Sequence, residues 1–379
     1  MRSYIQAATL AALATMSLPA LADATIYGKI NLAVESTAAN GATTGANLPT
    51  TTRVTSNLSH LGFKGEEDLG NGTKAVWQVE QDINPDGCTN CGFANRNSFV
   101  GLKGDWGRAI VGRYDMYWTS HIAGMDSRLI NAGLAASILS LFGTYGGYVT
   151  PTGKSTTALM GGRAVNVLRY DSPNWNGLTS SLTYSTAEQT GTVGKPTSWQ
   201  VELDYKEGPM VANFAYLHAK DSNGSLTNTG GVPSLGTDTD AMKLVAAYRF
   251  SQGTQVGVGA EYLNTQFREG DVKRTAYGIH LGQSLSSAIY IGSTLGKAAR
   301  VKSNIAGSNT TDTDAKFFTL VGTYSLSKRT MAYVEYARIY NAANAGYYFV
   351  STGSLNTGGT VAGKGADPRT LMVGMNHTF

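Results

Sequence analysis

The architecture of this chain can be inferred from residues 26–35, which read IYGKINLAVE. One set of alternate residues is apolar apart from a glycine: Ile26, Gly28, Ile30, Leu32 and Val34. The residues between them are mostly polar: Tyr27, Lys29, Asn31, Ala33 and Glu35. Alternation with a period of two over ten residues predicts a β-strand with two different faces, not a helix.

The same alternation recurs through the chain, for example in residues 178–186, 241–250, 255–264 and 371–379. Seven tight turns separate such segments: EDLGNG, GDWG, SPNWNG, KEGP, SQGT, LSSA and SLSK. Eight connections rich in Gly, Ser, Thr and Asn lie between the turns, roughly at 36–51, 84–93, 115–162, 188–197, 220–239, 267–270, 299–312 and 341–367. These fifteen connections would join sixteen strands, and their short/long alternation predicts antiparallel up-and-down pairing.

Two kinds of protein have strands with one apolar face. A secreted β-sandwich turns that face inward, whereas a membrane barrel turns it toward lipid and must close on itself to satisfy its backbone. The regular strand order favours the barrel, and so do aromatic residues near strand ends: Tyr184, Tyr248, Phe250, Tyr324, Tyr336 and Phe379. We therefore predict an all-β fold, a sixteen-stranded antiparallel transmembrane β-barrel, wide enough to enclose an aqueous channel.

The inward faces of the predicted strands are polar. They carry Lys29, Glu35, Lys74, Gln78, Glu80, Lys243, Arg249, Gln255 and Glu261. Such faces predict a water-lined lumen rather than a packed core.

Residues 1–22 have the features of a secretory signal peptide. Arg2 precedes an apolar stretch, and Ala20-Leu21-Ala22 forms a small-x-small cleavage site. We therefore expect the mature barrel domain to span 23–379. Lys and Arg total 30 against 26 Asp and Glu, a formal charge of +4 that becomes +3 without Arg2. A balance so close to neutral argues against nucleic acid as a partner.

The two cysteines, Cys88 and Cys91, form the motif CTNC in a Gly/Asn/Pro-rich stretch. In an oxidising compartment this spacing favours a short loop disulfide. A redox CxxC would need a thioredoxin-like βαβ context, and a zinc site would need two further ligands at suitable spacing. We expect neither a metal nor a cofactor.

The connection at 115–162 is unusually long for a surface loop. It contains INAGLAASILSLFG, residues 130–143, which is too apolar to remain in water. We therefore predict that this loop folds into the lumen and narrows the channel. Its only acidic residues are Asp115 and Asp126.

Several segments resemble the general-diffusion porins of the Gram-negative outer membrane, in particular those of the β-proteobacteria. The segments are YGKINLAVE, SHLGFKGEEDLGNGTKAVWQVE, NRNSFVGLKGDWGRAIVGRYD, VNVLRYDSPNWNGL, YSLSKRTMAYVEYA and VGMNHTF. The resemblance covers nearly all of the mature chain. It implies a homotrimer in outer-membrane lipid and lipopolysaccharide, and a final Phe379 that the barrel-assembly machinery reads. It also implies passage of ions and small hydrophilic solutes.

The resemblance also implies a set of basic wall residues opposite acids on the inserted loop. Residue by residue, the bases are Lys29, His60, Arg96, Arg113, Arg163 and Arg169, and the acids are Asp115 and Asp126. At His60 the family usually has Arg, so this position would be only partly charged at neutral pH. A ring of cations facing few acids favours anions, although acids such as Glu80 and Glu261 could offset it. We predict a weak anion preference.

Other functions remain open at this stage. A channel specific for a small organic acid or sugar could use Tyr145 and Tyr148 as the start of an aromatic track, and a surface adhesin is a further option. An enzyme is disfavoured. The TGKS at 152–155 lacks the first P-loop glycine, since Tyr148 stands there, and no G-x-S-x-G motif occurs.

Overall fold

The structure is a computed structural model. It describes residues 23–85, 87, 92–117, 119, 124–154, 162–186, 196–222, 236–349 and 362–379. The predicted signal peptide at 1–22 and the predicted Cys88–Cys91 disulfide lie outside the described residues.

The described part of the chain is almost entirely β-structure. The strands of its first half are β1 (Asp23–Asn40), β2 (Leu48–Ser56), β3 (His60–Gly70), β4 (Thr73–Asp82), β5 (Ser98–Gly104), β6 (Gly107–Asp115), β7 (Arg163–Asp171), β8 (Leu178–Thr186) and β9 (Thr197–Glu207). Those of its second half are β10 (Met210–Lys220), β11 (Asp238–Arg249), β12 (Thr254–Phe267), β13 (Gly270–Ser284), β14 (Ile289–Ala298), β15 (Lys302–Ser303), β16 (Ala315–Ser325), β17 (Thr330–Asn341) and β18 (Asp367–Thr378).

The remaining regular elements all lie between β6 and β7. They are helix α1 (Ser127–Asn131) and two 3₁₀ turns, Leu134–Ala136 and Ile138–Ser140. No helix in the described part of the chain is long and apolar enough to cross a membrane.

The sheet closes into a barrel, as predicted. Consecutive strands pair antiparallel around the sheet, and β18 returns to β1 in a ladder from Lys29↔Thr378 to Asn40↔Asp367. Because β2 and β3 both pair with β1, and β14 and β15 both pair with β13, each couple occupies one position in the cylinder. The eighteen strands therefore fill sixteen positions, which confirms the predicted number.

Strand β1 shows which face is outside. Ile26, Ile30 and Val34 are 61%, 40% and 56% exposed, whereas Asn31 and Glu35 on the other face are buried. Exposed apolar residues recur at alternate positions on nearly every strand. The apolar face is therefore the outer face of the cylinder, which is the reverse of a soluble protein and suits a lipid environment.

The two ends of the barrel have different connections. At one end the turns are tight; between β3 and β4, Asn71 and Gly72 both have positive φ, 53° and 74°, as a two-residue hairpin requires. The other end has the longer connections. One predicted connection, 36–51, is shorter than expected, because the pairing of β1 with β18 continues up to Asn40.

Part of the inner wall differs from the sequence-based expectation. Lys243, Gln255 and Glu261 face inward as predicted, but they are nearly fully buried and do not line open water. The apolar segment between β6 and β7 covers them and forms two buried clusters, one around Ile138 and Phe142 and the other around Tyr145. The interior of this barrel is therefore partly a packed core.

Candidate functional site

The inner wall has two parts. We call the inner side of β11–β14 and β16–β18 the covered wall, because the described residues of the segment 116–150 lie against it. We call the inner side of β1 and β3–β7 the charged wall. The segment carries the apolar residues 130–143 that the sequence analysis placed inside the lumen. Nearly every residue from Ala132 to Tyr148 is buried, which explains why so apolar a stretch is stable between two strands of a membrane barrel.

Local capping shapes this segment. The Asp126 carboxylate accepts a hydrogen bond from the Arg128 amide at 2.8 Å and so caps α1. The Ser137 hydroxyl caps the second 3₁₀ turn, because it accepts a hydrogen bond from the Leu139 amide at 3.3 Å. Short polar residues at these starts satisfy amides that have no partner within the helix.

The covered wall holds the segment through buried ionic groups. Glu261 on β12 accepts from the Gly143 amide at 2.8 Å and from the Tyr117 hydroxyl at 3.1 Å. Arg274 on β13 donates to Glu261 at 2.5 Å and to the Leu141 carbonyl at 2.7 Å. The side chains of Arg274 and Glu261 are both fully buried, so each charge depends on these partners.

Further contacts extend this attachment around the wall. Lys243 on β11 donates to the Tyr117 carbonyl at 2.6 Å, and Gln255 on β12 donates to the Met125 carbonyl at 2.6 Å. On β17, Glu335 accepts from the Gly133 amide at 2.7 Å. On β1, at the border of the two walls, Asn31 donates to the Ala132 carbonyl at 2.7 Å. The segment is thus hydrogen-bonded to strands from β11 round to β1.

Two glycines let the segment approach the sheet closely. Gly278 on β13 and Gly296 on β14 are register partners. A Cβ at Gly278 would lie 2.7 Å from the Ile138 Cδ1 atom and 2.8 Å from the Leu295 carbonyl oxygen. Side chains at these positions would displace the segment from the wall.

The structure places Asp126 in a buried cluster on the covered wall. Besides capping α1, Asp126 contacts His280 on β13, with Oδ2 to Nε2 at 3.2 Å, and accepts a hydrogen bond from Tyr290 on β14. Burial by itself would raise the pKa of Asp126, but hydrogen bonds from His280, Tyr290 and the Arg128 amide outweigh it and hold the pKa below its usual range. Asp126 therefore attaches the segment, and it lies apart from the other predicted site residues.

The other predicted site residues, apart from Arg169, come together on the charged wall. Lys29 on β1 and His60 on β3 are register partners, and Lys29 is electrostatically coupled to Arg96 and Glu80. Arg96, in the connection before β5, forms ion pairs with Glu80 and, at 2.7 Å, with Asp82.

The row continues onto the next strands. Arg113 on β6 is electrostatically coupled to Asp82, Asp115 and Arg163. Arg163, the first residue of β7, lies 2.9 Å from Asp115, which also accepts a hydrogen bond from Asn97 at 2.8 Å. Together with Glu80 and Asp82, these residues form one row of charges, which we call the charge row: Lys29, His60, Arg96, Arg113, Arg163 and Asp115.

Arg169 lies further along β7 and has its own partners. It pairs with Asp171 at 2.7 Å and with Glu202 on β9 at 2.8 Å. Its guanidinium also lies 4.7 Å from the centroid of the Tyr114 ring. With two carboxylates close by, Arg169 is neutralised by partners that lie outside the charge row.

The charge row is mixed in sign but not balanced. Its fixed cations are Lys29, Arg96, Arg113 and Arg163, and its fixed anions are Glu80, Asp82 and Asp115. One positive charge therefore remains in excess, and protonated His60 would add a second. The acids that reduce the excess lie mainly on the wall itself, not on the inserted segment.

Sequence reasoning missed the residues that hold the segment, chiefly Arg274 and Glu335. A signal was available for Arg274, because Tyr277, Ile279 and Leu281 are exposed on the outer face of β13 and alternation then turns Arg274 inward. Glu335 could be assigned inward in the same way. The pattern of alternation does not predict that Arg274 and Glu335 contact the inserted segment.

Two further observations concern a solute-specific channel and a metal site. Tyr145 and Tyr148, which could have begun an aromatic track for a specific solute, are both buried, and the Tyr145 hydroxyl donates to the Val272 carbonyl at 3.0 Å. Among the described residues, no group of three or more His, Cys, Asp or Glu side chains could hold a metal ion.

Comparison with known proteins gives a consistent result. The Gram-negative porin family model matches residues 7–344. The chain is 32% identical over 302 residues to the major outer membrane protein P.IB of Neisseria gonorrhoeae. This alignment covers 78% of each chain. It is 37% identical over 219 residues to the protein of that name from Neisseria meningitidis serogroup B, covering 56% of this chain and 58% of the relative.

Solved structures share the fold. An anion-selective porin from Comamonas acidovorans matches with a TM-score of 0.71 at 23% identity, covering 94% of this chain and 100% of that one. OmpT of Vibrio cholerae, solved in a trimer form, matches with a TM-score of 0.62 at 12% identity, covering 94% and 99%. At these identities the likeness concerns the fold alone.

Proposed function

Because this chain belongs to the Gram-negative porin family and forms an outer-membrane pore, we propose that it conducts ions and small hydrophilic solutes by passive diffusion with a weak anion preference. Members of this family are channels rather than enzymes, so the lumen is the functional site. The segment between β6 and β7, predicted at 115–162, is the proposed constriction, because its described residues pack on the inner side of the covered wall and leave the charged wall open.

The observation that carries the proposed selectivity is the charge row. Its four fixed cations, Lys29, Arg96, Arg113 and Arg163, stand with only three fixed anions. In a narrow, low-dielectric passage a small excess of one sign raises the local concentration of the opposite ion. A net excess of one charge supports a weak preference rather than strict selection.

The fold comparison agrees with this proposal. The neighbour from Comamonas acidovorans is described as anion-selective, and that property belongs to that protein. The structural likeness between the two proteins supports the barrel architecture. The ion preference proposed for this chain rests on the charge row of this chain.

A channel specific for a small organic acid or sugar is the second candidate. Such channels need aromatic side chains that a passing solute can touch. Tyr145 and Tyr148 are buried against the barrel wall and offer no such surface, so diffusion without a dedicated binding track is favoured.

We also propose the partners that the family resemblance implies. A homotrimer is supported by a structural neighbour that was solved as a trimer. Phe379 is the proposed recognition element for the barrel-assembly machinery; it pairs with Gly28 through two backbone hydrogen bonds of 3.1 Å at the tight-turn end of the barrel. Outer-membrane lipid, including lipopolysaccharide, would surround the apolar outer face.

The test is the reversal potential of the purified protein in a planar bilayer under a salt gradient. Arg113→Ala or Arg163→Ala removes one cation from the charge row, so each should bring the ion preference close to zero. The double variant leaves two fixed cations against three anions and should prefer cations weakly. Arg329→Ala, in the tight turn between β16 and β17, loses the same charge outside the row and serves as the control.

The proposal fails if both single variants keep the wild-type ion preference. A saturable block of the current by one sugar or organic acid would instead support the solute-specific channel.

A further inference from the structure

The outer surface of the barrel has a groove over strands β13, β14, β16 and β17. Its volume is about 480 Å³, and its lining includes Tyr277, Ile279, Leu295, Phe318 and Tyr340. Tyr277, Ile279 and Leu295 are between 40% and 54% exposed, so they face the surroundings of the barrel rather than its interior. For an outer-membrane barrel those surroundings are lipid, and an apolar groove of this kind suits an acyl chain.

Two lysines lie at one end of this groove. Lys297, next to the last residue of β14, and Lys316, the second residue of β16, are direct register partners. Both belong to the outer face, because Lys297 alternates with Leu295, and Lys316 with Phe318 and Leu320. Like charges directly opposite on neighbouring strands destabilise a sheet, and they do so more strongly where the dielectric is low.

Two neighbouring cations on the outer face have carboxylate partners. Lys273 pairs with Asp271 at 3.0 Å, and Arg338 pairs with Asp367 at 3.2 Å. Within the described residues no ion pair includes Lys297 or Lys316. An anion from outside the chain would therefore relieve the repulsion between these two lysines.

The position of the lysines matches a lipid headgroup. Both lie where their strands meet the longer connection between β14 and β16, at the end of the barrel opposite the tight turns. Tyr277 and Tyr340 lie beside them, and tyrosines of membrane barrels mark the interface between acyl chains and headgroups. The Tyr340 ring also stacks under Arg338, whose guanidinium carbon lies 4.3 Å from the ring centroid.

We propose that this groove binds a membrane lipid with a phosphate-bearing headgroup, the phosphate between Lys297 and Lys316 and an acyl chain along Ile279 and Leu295. Lysine ammonium groups form short, charge-assisted hydrogen bonds with phosphate, and basic pockets beside apolar surfaces bind anionic lipid headgroups. The proposal rests on the position of the barrel in the outer membrane and is independent of the ion preference of the lumen.

The test measures lipid binding to the purified folded protein by native mass spectrometry in detergent, with diphosphoryl lipid A as the probe. The variant K297Q/K316Q removes both lysines. The control K328Q/R329Q removes the same charge from the tight turn that follows β16, at the other end of the barrel. Leu295→Trp fills the groove and keeps the lysines. Heat-modifiable electrophoresis verifies that each protein is folded.

We expect the control to bind like the wild type and K297Q/K316Q to bind about 30-fold more weakly, since each basic residue near a membrane surface contributes about a factor of five. Leu295→Trp should weaken binding as well, and an equal concentration of inorganic phosphate should not compete.

Three results would overturn the proposal. The first is equal binding by K297Q/K316Q and the control. The second is full competition by inorganic phosphate, which would indicate a site for free anions. The third is a wild-type groove that takes up no lipid while Lys297 cross-links to a second copy of the chain, which would make this face a subunit contact.

Discussion

The two walls of the lumen are built from the same kind of strand but use their charges differently. On the covered wall, Arg274 and Glu261 are fully buried and hold the inserted segment. On the charged wall, Arg163 and Asp115 keep 16% and 23% of their side-chain surface exposed and pair with each other. Alternation turns both sets inward, but only the inserted segment determines which set is fully buried.

The difference in burial changes how much each charged residue contributes to the stability of the barrel. A fully buried pair has lost its hydration, so removing one partner leaves a charge that nothing compensates. A pair that water still reaches is partly screened, and removal of one partner costs much less. The covered wall should therefore govern the position of the segment and the stability of the barrel, and the charged wall should govern ion preference.

The strongest test compares one arginine from each wall. Arg274→Ala leaves the buried Glu261 unpaired and should lower the free energy of unfolding by about 3–5 kcal/mol. Arg163→Ala should lower it by about 1 kcal/mol or less. Urea unfolding in lipid vesicles, followed by tryptophan fluorescence, measures both. Equal losses in the two variants would contradict the division into two walls.

A second test concerns the close approach of the segment to the covered wall. Gly278→Ala places a Cβ against Ile138 and the Leu295 carbonyl, and should destabilise the barrel by about 1–3 kcal/mol. The matched control is Gly322→Ala on β16, where the nearest atom would lie at 3.4 Å, an ordinary contact. The same unfolding assay compares them, and single-channel conductance should change in Gly278→Ala only. A larger loss in the control would show that the segment does not pack as described.

The smallest expected effect concerns Asp126 and depends on pH. Asp126→Asn keeps the helix cap but loses the charge that His280 and Tyr290 contact, which should cost about 1–2 kcal/mol at pH 7. Because the pKa of Asp126 in the folded protein lies below its usual value, its contribution is complete above the unfolded pKa of about 3.9 and is lost as the pH falls through the folded pKa.

The measurement is the free energy of unfolding of both proteins from pH 7 to pH 2. A second pair carries His280→Gln in both members, which shows how much of the pH dependence comes from the neighbouring imidazole. The difference between them should stay constant down to about pH 4 and close below it. A difference that stays constant down to pH 2, or that widens as the pH falls, would mean that the pKa of Asp126 is not lowered.

The structure brings several of the predicted site residues together, and the departures from the prediction have a physical cause. Lys29, Arg113 and Arg163 lie in the charge row, where the family resemblance had grouped them. Asp126 lies elsewhere, because a carboxylate that begins a short helix is positioned by the packing of that helix, and strand alternation does not apply within a loop. The role of Asp82 also required the structure, since an ion pair with Arg96 joins a strand to a connection.

The order of sixteen strand positions and the outward apolar face followed from the sequence by itself. Each depends on local chemistry: a period of two, turn residues between strands, and the need to close a sheet that has no water around it. The tertiary structure alone determined which inward charges are buried beneath the segment and which remain on the open wall. That outcome depends on contacts such as Arg274 with Leu141, which lie 133 residues apart and arise only when the barrel closes around the chain.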